Sequence, residues 1–383
     1  MLNDFKNPLL HLEIHKMNKR HLVDEKGRHL IDFSTQGYLG FEQDKDVLNA
    51  QIEGLKFYGN VVPWSRTVAT FGIYTRAENV LAKLVGSPAA NMFLSTTLLN
   101  HGVIQALAGK KGAVIAFEQS AHKSLYEGAM LAKAKGAKVF GWKTLKDLEK
   151  ILEKDACYKL VITDGVHSMS GSFAPLKELW ALCERLDGYL YIDDAHGFGV
   201  VGENPSNDSP LGHKGNGLVG YFDIPFGRVF YVGCFSKAYG LSGAFIACTK
   251  EQKNFLLEQA TPHDLGFSGQ AGAITGLLKA LELNHQKGDV KRRQLLEYSL
   301  QVTKVLEKKG YELYTKTTSF PIVTVLFHHD AEFLAFCKRL YERGILATVE
   351  PYLLKKPSIL HGIRLTLTAS HTKKDIQDLL GVF

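Results

Sequence analysis

Short, continuous apolar runs alternate along the middle of the chain with longer stretches of helical period. The runs stand at AVIAF (113–117), KVFGW (138–142), KLVIT (159–163), YLYID (189–193), RVFYVG (228–233) and AFIAC (244–248). Each is apolar nearly throughout, the pattern of a strand covered on both faces rather than one. The clearest helix between them places Leu176, Leu179, Trp180, Cys183 and Leu186 on one face, opened by Pro175 and closed by Gly188. Strand and helix in alternation predict an α/β fold with a mainly parallel sheet between helices.

The flanks read differently. The stretch from Met1 to about Leu55 begins with a polar arm, read as helical, and continues into the strand-like HLIDFSTQGYLGF (29–41), broken by Gly37 and Gly40. A helical pattern from about Thr67 carries Ile73, Val80, Leu81, Leu84 and Val85 and stops at Gly86-Ser87-Pro88. Towards the C-terminus a long helical region from Ala273 to Gly310, interrupted near Gly288, precedes a shorter alternation. That alternation comprises PIVTVLF (321–327), a helix over 332–343, ILATV (345–349), IRLTLT (363–368) and a last helix from Lys373. The expected division is an N-terminal arm (1–55), a large domain (56–275) and a small α/β domain (276–383).

Composition narrows the class. With 383 residues, 45% hydrophobic and 22% charged, the chain has the make-up of a soluble globular protein. Its net charge of +7 is not gathered into a basic run, so no nucleic acid is expected, whereas a polyanionic small substrate suits it. Five cysteines (157, 183, 234, 248, 337), odd in number and without a CxxC pair, argue against a disulfide framework or a zinc site. We expect no metal and a reducing, cytoplasmic setting. Neither an export leader nor an apolar run of membrane-spanning length stands out.

Polar residues cluster directly after the strands: Ser120 and His122; Asp164, His167 and Ser168; Asp193, Asp194 and His196; Ser236 and Lys237. In a parallel sheet all of these reach the carboxyl edge, where open α/β sheets bind ligands. Singly, each is as well explained as a turn former, a cap or a buried histidine; their convergence is what points to chemistry. Lys237 has no carboxylate near it in sequence and is a candidate for Schiff-base chemistry with a carbonyl cofactor, namely pyridoxal 5'-phosphate. Asp193 would hold the pyridine nitrogen protonated, His196 would bond the phenolic oxygen, and His122 offers a flat ring to stack. Ser95, Thr96 and Thr97, at a helix start, either cradle a phosphate or simply cap the helix. Arg364 has the fork geometry for a substrate carboxylate.

Five motifs in order carry a resemblance: SAHKSLYEG (120–128), TDGVHSMSGSFAPL (163–176), IDDAHGFGVVGE (192–203), CFSKAYGLSGAF (234–245) and IRLTLTASHTKKDI (363–376). Together they resemble the α-oxoamine synthases, which join an amino acid to an acyl-CoA with loss of carbon dioxide. The resemblance implies fold type I: a mainly parallel seven-stranded sheet between helices, plus a small C-terminal α/β domain. It implies Lys237 as the Schiff-base lysine and acid/base, with Asp193, His196 and His122 in the roles given above. Ser168 would lie near the cofactor oxygen or the substrate, and Ser236 among the cofactor contacts. Ser268, known only through the resemblance, would reach the phosphate of a partner subunit in a homodimer with shared sites.

Several positions depart from the family pattern. Cys234 stands for a phosphate-binding threonine, Thr97 for an aromatic, and Gln36 for a substrate-side asparagine. VVPWSR (61–66), with Trp64, replaces a glycine-rich segment. The competing readings are an aminotransferase, or an α-oxoamine synthase acting on glycine or serine with another acyl chain. Aminotransferases usually place a tyrosine where His196 stands.

Overall fold

A computed structural model describes residues 7–60, 65–264, 270–354 and 360–383, and the chain divides into two compact units. The larger comprises Asp44–His167 and Phe173–Asp289; the other comprises Met1–Gln43, Ser168–Ser172 and Val290–Phe383.

The larger unit is built on a seven-stranded sheet in the order Ala89–Phe93, Ala244–Cys248, Val229–Cys234, Tyr189–Asp193, Tyr158–Asp164, Ala113–Glu118, Lys138–Trp142. The last five run parallel. All six runs read from the sequence are strands. One of them, Ala244–Cys248, is antiparallel to both neighbours, because Phe235–Gly243 is too short a link for a helical crossover. Strand residues Leu160, Ile162, Tyr191, Phe230 and Val232 pack on Leu99, Val103, Ile104 and Leu107 of the helix Thr96–Ala108 and on Leu125 and Ala129 of the helix Lys123–Ala134. Burying each such aliphatic side chain contributes about 1.5–3 kcal/mol. Helix starts are marked chemically: Ser95 caps Thr96–Ala108, and Thr144 with Asp147 forms a capping box on Leu145–Leu152.

In the other unit a six-stranded sheet runs Ile14–Asn18, His21–Asp24, His29–Phe33, Ile345–Leu354, Leu360–Thr366, Ile322–Phe327. The N-terminal arm is thus a strand hairpin rather than a helix. Asn18 pairs with His21 across a two-residue turn in which Lys19 takes a positive φ of 52°, the backbone such tight hairpins require. Phe333, Phe336, Leu340 and Leu379 cover Val323, Val325, Ile363 and Leu365.

The helix Ala271–Lys308, of 38 residues, passes Gly288 without the expected break. An interior glycine costs about 1 kcal/mol, less than the burial of Leu283, Leu295, Val302 and Leu306 returns. Among the described residues no helix is long and apolar enough to cross a membrane.

Candidate active site

Three adjacent parallel strands end at one edge of the larger sheet. Asp193 stands opposite Asp164 on one side and Val232 on the other, so the segment from Cys234 to Lys237 leaves the sheet from the strand next to Asp193, with Asp164 one strand further on. Asp193 is buried. Its Oδ2 accepts from Asn100 Nδ2 at 2.7 Å and its Oδ1 from the Ala195 N–H at 3.1 Å, a partial satisfaction that leaves acceptor capacity for a ligand. The next residue, Asp194, accepts instead from Leu218 N–H at 2.8 Å and Tyr231 O–H at 2.9 Å, and burial pushes its pKa to about 7. The pair Asp193-Asp194 therefore divides one acid for the edge from one for the scaffold.

His122 caps the helix Lys123–Ala134, and its N–H donates to Asp164 Oδ2 at 2.9 Å. Burial first, and the neighbouring Asp193 second, raise the Asp164 pKa well above the ordinary carboxylate range. Glu118 lies beyond it. Burial opposes its ionisation, but donors from His167 Nε2 at 2.8 Å, Thr163 Oγ1 at 2.6 Å and Ser120 Oγ at 2.8 Å outweigh that and hold its pKa below the usual value.

Lys237 is half-buried in a turn closed by the Gly240 N–H on its carbonyl at 3.1 Å, and its amine has no hydrogen-bond or ion-pair partner among the described residues. Cys234 Sγ and Ser236 Oγ, just before it in the chain, are 2.9 Å apart. His196 is buried. Gly199, at φ 88°, lets its own segment close on the lysine turn: a Cβ there would stand 2.6 Å from Ala238 Cβ.

Ser95 Oγ accepts from Leu98 N–H at 3.3 Å, so capping is its role within the chain. Thr96 Oγ1 is buried and has no partner among the described residues, and Thr97 is exposed in the same turn. A buried, unpartnered hydroxyl beside the free N–H groups of a helix start suits an anion. With an acid, two imidazoles and a free amine at one sheet edge, the residues present fit pyridoxal phosphate.

Gln36, Ser168 and Arg364 belong to the other unit. There Arg364, buried, donates from Nη1 to the Ser168 carbonyl at 3.1 Å and from Nη2 to Thr348 Oγ1 at 3.3 Å. Its Nε has no partner among the described residues. Gln36 is half-buried, and its carbonyl accepts from the Tyr38 N–H at 2.8 Å. Ser268 and Trp64 lie outside the described residues.

Sequence reasoning missed Asn100, Ser124 and Tyr191, which hydrogen-bond behind Asp193 and His122. The available signal was Asn100 itself, a lone amide on the apolar face shared with Val103, Ile104 and Leu107.

This architecture and edge define a fold type I pyridoxal phosphate transferase. The sequence model of the family described as aminotransferase class I and II matches residues 28–383, and the chain belongs to that family and, within it, to the α-oxoamine synthases. An 8-amino-7-oxononanoate synthase of Nitrosospira multiformis is 33% identical over 367 residues, covering 93% of this chain and 87% of that protein. The one from Thermosipho melanesiensis is 32% identical over 366 residues, covering 93% and 88%. Among solved structures, Sphingomonas wittichii serine palmitoyltransferase superposes with a TM-score of 0.87 at 25% identity, over 100% of this chain and 92% of that one. The Francisella tularensis 8-amino-7-oxononanoate synthase shares the fold, with a TM-score of 0.76 at 23% identity, over 92% of this chain and 96% of that one.

Proposed function

We propose that this enzyme condenses an amino acid with an acyl-CoA thioester, releases carbon dioxide and free thiol, and yields an α-aminoketone, as an 8-amino-7-oxononanoate synthase of biotin synthesis. The observation that carries this reading is 33% identity across 93% of the chain to such a synthase. Bound pyridoxal phosphate supplies an electron sink for negative charge at the amino-acid α-carbon. The chain's own residues do the rest. The Lys237 amine would take the α-proton and return it, Asp193 would keep a proton on the pyridine nitrogen, and His122 would offer its ring as the stacking partner. His196 would donate to the phenolic oxygen. Thr96 and Thr97, with Ser95, Cys234 and Ser236, would hold the phosphate, to which the family resemblance adds Ser268 from the partner subunit. Arg364 grips a carboxylate as a bidentate fork, with Ser168 and Gln36 on the substrate side.

We also infer a homodimer working in the cytoplasm, a compartment that suits five unpaired cysteines.

Structural likeness to serine palmitoyltransferase favours one rival substrate pair, serine with a long acyl chain. Incubating the protein with single amino acids and acyl-CoAs of different chain length, while following thiol release, tests both. Thiol release confined to one amino acid supports condensation and names the substrate. Exchange of amino and keto groups without thiol release would instead make it an aminotransferase.

A further inference from the structure

We propose that Asn100 is a positioning residue that ties Asp193 and His122 into one hydrogen-bonded unit, so that the acid under the ring nitrogen and the stacking imidazole are set together. The inference rests on reading this edge as the cofactor site.

The direction of each hydrogen bond follows from the inventory of donors. Tyr191 O–H lies 2.7 Å from Asn100 Oδ1; burial, and Asp193 next, raise the Tyr191 pKa, so the phenol keeps its proton and donates. That fixes the amide, with Oδ1 towards Tyr191 and Nδ2 towards both Asp193 Oδ2 at 2.7 Å and Ser124 Oγ at 2.9 Å. The flipped amide would set a carbonyl oxygen against a carboxylate. Ser124 Oγ, having accepted from Asn100, turns its single proton to His122 Nδ1 at 2.8 Å. The Ser124 N–H approaches the same nitrogen at 3.3 Å. Two donors on Nδ1 leave the neutral ring's proton on Nε2.

Water cannot replace these partners, since Asn100 and Tyr191 are 0% exposed, Ser124 3% and Asp193 4%. A leucine at position 100 would serve the core alone at least as well. Each hydrogen bond of the amide side chain goes instead to a group of the edge or to the tyrosine that orients it.

The test uses Asn100→Ala, Tyr191→Phe and Ser124→Ala, read by imidazole nitrogen shifts of His122 in the cofactor-free protein and by pyridoxal phosphate affinity from visible absorbance. Tyr191→Phe touches neither His122 nor Ser124 by hydrogen bond, yet it should move the His122 nitrogen shifts, and Asn100→Ala should move them further. Cofactor affinity should fall roughly 10- to 100-fold in Asn100→Ala, and by less in Ser124→Ala, which leaves the Asn100–Asp193 hydrogen bond in place. Tyr191→Phe combined with Ser124→Ala should be non-additive when Asn100 is present and additive when it is not. If Asn100→Ala does not fold, the Tyr191→Phe shifts decide the question. Unmoved His122 shifts in the folded variants, or strict additivity, would overturn the proposal. Failure of the unmodified protein to take up pyridoxal phosphate would sink the site reading instead, while the shifts would still decide the linkage.

Discussion

Asp164 and Asp193 face each other on neighbouring parallel strands, two buried carboxyls at one sheet edge. They cannot both ionise cheaply there, and burial together with Asp193 raises the Asp164 pKa. The folded protein therefore binds more protons than the unfolded chain once the pH exceeds the ordinary carboxylate range. Stability falls as pH rises through that window, up to the raised pKa. Asp164→Asn keeps an acceptor for the His122 N–H and removes the titration. Urea unfolding of the cofactor-free protein across pH should show a shallower alkaline decline in this variant, the remainder coming from Asp194. An undiminished decline would show that Asp164 is not the responsible group.

Lys237 and Asp193 should separate by phenotype. Lys237→Ala is expected to lose the visible absorbance of the bound cofactor along with turnover, since no other amine is placed at that turn. Asp193→Asn should still bind pyridoxal phosphate while turnover falls roughly 100-fold or more, because a neutral amide does not hold the ring nitrogen protonated. Absorbance spectra and thiol release measured on the same preparations check both, and appreciable turnover in Lys237→Ala would refute its assignment.

Legibility followed the range of the interactions. Strands buried on both faces wrote themselves as continuous apolar runs, so six of the sheet's seven were readable in order. Their carboxyl ends named Asp193, His122 and Lys237, because a parallel sheet sends every such end to one edge. Asn100 was not readable in this way. Its partners Asp193, Tyr191 and Ser124 come from two other segments, and an amide within LLNHGVI carries no local mark of what it bonds. The reversal of Ala244–Cys248 was legible in principle from its short link. The N-terminal hairpin was not, because Ile14–Asn18 is exposed along its whole length and so carries no alternation of apolar and polar positions.

Gly128 sets how closely the two helices behind the edge approach. A Cβ on it would meet the Asn100 carbonyl oxygen at 2.7 Å and Ile104 Cδ1 at 3.0 Å. A backbone oxygen cannot swing aside, so the gain of about 1 kcal/mol in helix propensity from Gly128→Ala is outweighed by overpacking of about 1–3 kcal/mol. Parting the helices would also stretch the Ser124–Asn100 hydrogen bond. We expect a lower Tm together with weaker pyridoxal phosphate binding; an unchanged Tm would show that the helices adjust without strain.

His371 should make the protein acid-sensitive. It is 2% exposed, stacked on Phe33 with ring centroids 4.2 Å apart. Its Nδ1 accepts from the Thr368 N–H at 3.0 Å and its Nε2 donates to the Asp32 carbonyl at 3.0 Å. Burial, and after it the charge of Arg20, lowers its pKa to about 4. The unfolded chain takes up this proton near pH 6.5, whereas the folded one resists until about 4. Between those values the unfolded state binds more protons, so stability falls with decreasing pH, by about 3 kcal/mol in all. His371→Gln removes the titration but loses the stacked ring, so it should be less stable at neutral pH and less steep below it. Urea midpoints at a series of pH values measure both effects. Equal slopes for variant and parent would assign the acid sensitivity to another group.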